Sequence, residues 1–236
     1  SEFRNLRASG LIAVTLREDD ELIGVTLTDG SRELLLGTRQ GMSIRFHEDD
    51  VRTMGRTAMG VRSIDLAPGD EVVSMSAVQE DCEVLTISEN GYGKRTPEAE
   101  YRLQTRGGKG IKAMQLTDKT GPLSALMLVR EDEDVMLISD DGTIIRMAVA
   151  DISTQSRSTQ GVRLMRLADS SRVVAVTTTE KIEETDEEAS ADASAALPEA
   201  DPHDPDTAAP DDLSYAGDED RDIARLLERA EEDGDI

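Results

Sequence analysis

The chain has 236 residues, carries 26 Lys and Arg against 50 Asp and Glu for a net charge of -24, and contains two Phe, three Tyr and no Trp. A single cysteine, Cys82, excludes an internal disulfide and suits a reducing compartment, here expected to be the cytoplasm. No apolar run is long enough for a signal peptide or a membrane span, and two histidines offer no Ser/His/Asp or Cys/His arrangement, so secretion, membrane insertion and catalysis by this segment have no support.

The chain opens on a pattern that returns. SGLIAVTL (9–16) aligns with MGVRSIDL (59–66), KGIKAMQL (109–116) and QGVRLMRL (160–167), and the shared glycines Gly10, Gly60, Gly110 and Gly161 are 50, 50 and 51 residues apart. Gly41, Gly91 and Gly142 keep the same register, each followed four residues later by Arg45, Arg95 or Arg146. Glu33, Glu83 and Asp134 form a third row, and Arg56, Arg106 and Arg157, each four residues before a shared glycine, form a fourth. A common period over several features marks a repeat architecture. The first residue is Ser, and 1–16 reads as the end of a repeat, so the expectation is a segment of a longer protein.

Residues 17–66 make the first complete period. Its loop His47-Glu48-Asp49-Asp50 has one His beside three acids and no second ligand group at a defined spacing, so no metal site is expected.

The second period, residues 67–116, predicts four strands at Glu71–Val78, Glu83–Ser88, Tyr92–Thr96 and Gly110–Leu116, β-rich or alternating runs separated by turn residues. Glu89-Asn90-Gly91, like Asp140-Asp141-Gly142 one period later, predicts a tight hairpin turn. Four strands in about 50 residues is the size of a propeller-type blade, and the expectation is one blade per period.

This period also holds the one strongly basic window. Between Tyr92 and Lys112 six cations face two acids, a net of +4. At its centre lies Gln104-Thr105-Arg106-Gly107-Gly108-Lys109-Gly110, where adjacent glycines flanked by Arg and Lys would bring N–H groups and two cations onto one anion, the construction of a phosphate-contacting loop. An exposed turn with solvated charges fits the same residues. The G-x-x-x-x-G-K-[ST] spacing of a nucleotide-binding P-loop is lacking, so ATP binding by this loop is unsupported.

Residues 117–167 form a third period, after which Arg172–Thr178 repeats the first strand of a blade seen at Glu21–Leu27 and Glu71–Ala77. Past Lys181 the composition changes. Residues 182–236 hold 21 acids and three Arg, a net of -18, whereas residues 1–181 carry only -6. Residues 182–217, poor in large apolar side chains, are expected to be disordered. Ile223, Leu226, Leu227 and Ala230 recur at helical spacing and predict a short amphipathic helix within 219–232. This acidic tail reads either as a polyanion competing for a basic surface or as a solubilising segment.

The strings LIAVTLREDDELIGVTLTDG (11–30), EDDVRTMGRTAMGVRSI (48–64), ENGYGKRTPEAEYRLQTRGGKGIKA (89–113) and RMAVADISTQSRSTQGVRL (146–164) resemble the C-terminal domain of the DNA gyrase A family. The resemblance implies an all-β fold, a β-pinwheel of propeller-like blades with strands exchanged between neighbours and DNA wrapped on a basic rim. Residues 1–181 would then be a partial pinwheel, three full repeats plus two partial ones. Gln104, Arg106, Gly107, Gly108, Lys109 and Gly110 match the family's Q-[RK]-R-G-G-[RK]-G box, with Thr105 in place of a cation, so the loop resembles a degenerate copy.

Along the implied rim, Arg45, Arg56, Lys94, Arg95, Gln104, Arg106, Gly107, Gly108, Lys109, Gly110, Arg146 and Arg157 are the expected DNA contacts, with a cross-strand acid as the alternative partner for each Arg. The implied partners are double-stranded DNA, the remainder of the gyrase A polypeptide, and gyrase B in a heterotetramer. The segment would be non-catalytic and carry no cofactor, with ATP and magnesium on gyrase B within an ATP-dependent type IIA topoisomerase. The corresponding domain of the related decatenating topoisomerase and a propeller-like protein-interaction scaffold are the alternatives.

Overall fold

The computed structural model describes residues 8–181. The chain divides into two units, residues 1–183 and 184–236, so the expectations for the acidic tail and its helix lie outside the described residues.

Eleven strands occur among the described residues: β1 (Glu33–Thr38), β2 (Met42–His47), β3 (Val72–Ala77), β4 (Glu83–Ser88), β5 (Tyr92–Pro97), β6 (Ile111–Lys112), β7 (Leu123–Val129), β8 (Glu133–Ser139), β9 (Ile144–Ala148), β10 (Val162–Arg163) and β11 (Val173–Glu180). They form three sheets of order β3-β1-β2-β6, β10-β5-β4-β7 and β11-β8-β9, all of whose strand pairs are antiparallel. The hairpin turns fall where predicted, with the Gly91 and Gly142 N–H groups donating to Ser88 O and Ser139 O at 3.0 Å.

One period is not one blade, and this corrects the simplest reading of the repeat. The hairpin β4–β5 of the second period lies in the second sheet, while β3 and β6 of that same period flank the hairpin of the period before, β1–β2. The third period repeats the arrangement, lending β7 and β10 to β4–β5. Each of these two sheets therefore joins a hairpin to the first and last strands of the following period. The last strand is also shorter than expected, two residues instead of seven.

The central strands are apolar on both faces because the sheets are covered on both sides. Leu35 packs with Val84, Leu123, Leu126, Met114 and Tyr101 in the core between the first two sheets, whereas its neighbour Leu36 joins Ile44, Phe46 and Ile64 on the other face. Likewise Val84 faces the first sheet, and Leu85 and Ile87 face Val135, Leu137, Val149 and Ile152. Apolar burial at about 25 cal/mol per Å² makes these inter-sheet layers the main source of stability. Successive sheets cannot separate without exposing them.

Each exchanged last strand crosses its host sheet at a shared glycine. Gly161 has φ +74°, and a Cβ there would lie 2.5 Å from Gly93 O; on Gly110, also φ +74°, it would overlap the Ser43 carbonyl oxygen. Only glycine combines that backbone with so close an approach.

Candidate nucleic-acid interface

Two of the three charged rows in the sequence meet each other, the arginines of the hairpins and the acids that open them. Arg45 on β2 pairs with both Glu33 and Glu98 and donates to Glu98 O and Tyr101 O. Arg95 on β5, 7 % exposed, pairs with Glu83 at 2.8 Å and donates to Ile152 O at 2.7 Å and Ala150 O at 3.1 Å. Arg146 on β9 pairs with Asp134 at 2.7 Å and donates to Glu180 O. Each Arg of this row thus binds the acid of its own hairpin and a main-chain carbonyl further along the chain.

The row Arg56, Arg106 and Arg157 does the converse and reaches back to the preceding period. Their Nη1 groups donate to Ile12 O at 3.0 Å, Arg62 O at 2.6 Å and Lys112 O at 2.8 Å, carbonyls two residues beyond successive shared glycines. Parallel main-chain stitches run beside them, from Thr15, Asp65 and Gln115 N–H to Ala58, Gly108 and Thr159 O. Arg106 Nε also donates to Asp50 O at 3.0 Å.

Lys94 occupies a position where the other periods carry Ile44 and Ile145. It is fully buried, and its Nζ donates to Ser156 O and to Arg157 O at 2.6 Å. Burial pulls its pKa down from the ordinary lysine value to about 8, because loss of solvent disfavours the ammonium form. The repeat suggests a solvent-facing rim for all these cations; the structure turns Lys94 and Arg95 inward and commits the others in part to holding repeats together.

In the basic loop, Gly107 has φ +83°, its N–H donates to Ser63 O at 2.7 Å, and Gly108 O accepts from Asp65 N–H. The Gln104 N–H donates to Arg45 O at 2.8 Å. The Gly107 N–H that an anion cradle would use is therefore taken by the strand crossing. Thr105, Gly108 and Lys109 face solvent, and Lys109 is the exposed cation of the loop.

The structure exposes a further set of cations that the sequence rows do not include: Arg62, Lys112 and Arg163. They follow the shared glycines as Gly60-x-Arg62, Gly110-x-Lys112 and Gly161-x-Arg163, a spacing visible in the alignment itself. Lys112 and Arg163 lie on the outermost strands of the first two sheets, opposite Met42 and Tyr92.

These features define a class: a strand-exchanged β-propeller repeat whose periodic arginines tie each sheet to the next and whose edge strands present cations outward. Comparison with known proteins places it further. The model of the DNA gyrase C-terminal domain, beta-propeller family matches residues 1–29, 32–79, 83–130 and 133–180, and the chain belongs to that family. The DNA gyrase A protein of Halalkalibacterium halodurans is 66% identical over 176 residues, and that of Streptococcus pneumoniae 54% over 177, each alignment covering 75% of this chain. The chain spans about a fifth of the length of these relatives, 21% and 22%. Among solved structures, the C-terminal domain of DNA topoisomerase IV superposes with a TM-score of 0.72 at 26% identity, over 76% of this chain and 56% of that one. A DNA gyrase A C-terminal domain gives 0.68 at 26% identity, over 72% and 58%.

Proposed function

We propose that this chain is the DNA-binding and DNA-wrapping module of a gyrase A protein, supporting ATP-dependent negative supercoiling by a type IIA topoisomerase in the cytoplasm. The observation that carries the reading is the rigid periodicity of the exchanged sheets. Because each sheet is locked to the next through the same arginine–carbonyl and main-chain contacts, cations at equivalent positions recur at fixed steps, as a bent duplex requires. Bending a short duplex by a moderate angle costs about 1–6 kcal/mol, which several phosphate contacts together offset.

In this reading the segment performs no bond chemistry. Strand cleavage and religation belong to the rest of gyrase A, and ATP and magnesium to gyrase B, within a heterotetramer. The 66% identity to a gyrase A protein favours this parent over the decatenating topoisomerase. The exposed Lys109 and the outward parts of Arg106 and Arg157 are the loop groups offered to phosphates, while Lys94 and Arg95 hold the main chain of residues 150–157 that carries Arg157.

The test is binding to random-sequence duplex DNA across a salt series, joined to relaxation of closed circular DNA by a separate nicking-closing enzyme with the chain present. Sequence-independent, salt-sensitive binding and a linking-number shift of one sign are expected. A chain that binds no duplex at low salt overturns the wrapping reading for this segment and leaves either affinity carried by other blades of the parent or a protein-interaction scaffold.

A further inference from the structure

Resting on the DNA-wrapping reading, we propose that the duplex path runs along Arg62, Lys112 and Arg163, and that its grip tightens from the first period to the third. Three observations lead there. First, the periodic arginines found by sequence spacing are largely occupied by protein carbonyls and carboxylates, whereas these three residues are exposed to solvent once per period. Second, the backbone beneath Arg62 and Lys112 is pinned, since Arg106 and Arg157 donate to their carbonyl oxygens. A cation on a fixed backbone meets a phosphate with less ordering cost.

Third, the residue three positions on changes the charge of each site in sequence. Arg62 Nη1 lies 3.2 Å from the Asp65 carboxylate, so its cation is matched by an anion. Lys112 Nζ donates to the neutral Gln115 amide at 2.8 Å and keeps its full charge. The third site replaces the acid and the amide with Arg166.

Arg163 is also oriented. Its Nε and Nη2 donate to Tyr92 Oη at 3.1 and 2.7 Å, and Lys119 lies 5.3 Å from the centre of the same ring. The bond from Arg163 holds the Tyr92 phenol below the ordinary tyrosine range, as expected beside concentrated positive charge. Arg163, Arg166, Lys119 and Tyr92 line one open cavity together with Arg172 and the acids Glu89 and Asp169. Glu89 shares the Arg39 guanidinium with Glu71, at 2.6 and 2.9 Å, and Arg172 faces Asp140 at 3.6 Å. Arg163, Arg166 and Lys119 outnumber the remaining acid Asp169 there, with Arg166 standing where the other two sites carry Asp65 and Gln115, and this third site takes a backbone phosphate of duplex DNA.

The experiment measures duplex affinity of the full chain over a salt series for Arg163→Ala, Arg166→Ala, Lys112→Ala and Arg62→Ala. Loss of one phosphate contact lowers the salt slope by about 1. Arg163→Ala and Arg166→Ala are expected to weaken binding most, Lys112→Ala less and Arg62→Ala least. Arg166→Ala, which leaves the Arg163–Tyr92 contact in place, guards against a folding artefact. If all four variants keep the parent's affinity and slope while the parent binds DNA, the path lies elsewhere and the inference fails while the wrapping reading stands. If they lose affinity for an acidic polypeptide such as poly-glutamate but not for duplex, the row is a protein-docking surface and the DNA path is overturned. A parent chain that binds no duplex at any salt overturns both.

Discussion

Residues 21–27 and 71–77 occupy the same place in successive periods and read alike, yet only the second stretch pairs with a sheet. Glu71–Ala77 yields β3, bound to β1, and the third-period counterpart yields β7, bound to β4. Residues 21–27 form no strand and are exposed throughout, Val25 by 79 % and Leu27 by 96 %. The predicted strand at Glu21–Leu27 is thus absent, and the exchange explains it. A first strand pairs with the hairpin of the preceding period, and among the described residues no hairpin precedes residue 21. The last strands show the same contrast: Ile111–Lys112 and Val162–Arg163 pair, and residues 61–62 do not. Strand state here is a property of the partner, not of the local sequence.

The largest expected difference between the two regions is in amide hydrogen exchange. Amides of β4 and β7 should open only with free energies near that of global unfolding, whereas residues 21–27 should open at close to no cost, since local stabilities span that range. Strong protection at 21–27 would break the comparison. Next, Leu85→Ala in the inter-sheet core is expected to cost about 2–5 kcal/mol in urea unfolding, against less than about 0.5 kcal/mol for Leu27→Ala at the unpaired surface.

The shared glycines sharpen the point because all keep positive φ while only some meet a host sheet. Gly60 has φ +81° with nothing within reach of an added Cβ, while Gly161 faces Gly93 O. Gly60→Ala should cost about 1–3 kcal/mol from backbone strain alone. Gly161→Ala should cost more and lower the urea midpoint accordingly. Arg95→Ala, which strips partners from Glu83 and two main-chain carbonyls, is expected to cost about 3–5 kcal/mol, and Arg146→Ala, 31% exposed at its side chain, about 1 kcal/mol.

A further effect concerns pH. Lys94 titrates near 8 when folded, below its ordinary value, so between about pH 8 and 10 the unfolded chain binds more protons and stability rises with pH. Lys94→Ile, the residue type of the other two periods, should abolish that rise in thermal unfolding followed across this range.

The periodic arginines were legible as rows but not in direction. A Gly-x-x-x-Arg spacing suits a solvent-facing phosphate contact and an inward clamp equally, and the deciding partners lie far along the chain: Arg45 to Tyr101 O spans 56 residues and Arg95 to Ile152 O spans 57. Lys94 was harder still: the alignment sets it against Ile44 and Ile145, but a lone cation in a strand of Thr, Arg and Gly suits a solvent-facing position as well as a buried one. The exposed row needed only the alignment, yet Gly-x-Arg is so short a signal that nothing in it separates an edge strand from a buried one.

The sequence by itself determined the period, the all-β content and the hairpin turns, because turn chemistry and apolar alternation are local and repeat faithfully, and its particular strings carried the resemblance to the family. Which hairpin each outer strand joins, which arginines turn inward, and which predicted strands fail to form were decided by the tertiary structure. A strand's hydrogen bonds and its covering layer come from a partner roughly one period away, and no local pattern encodes whether that partner is there.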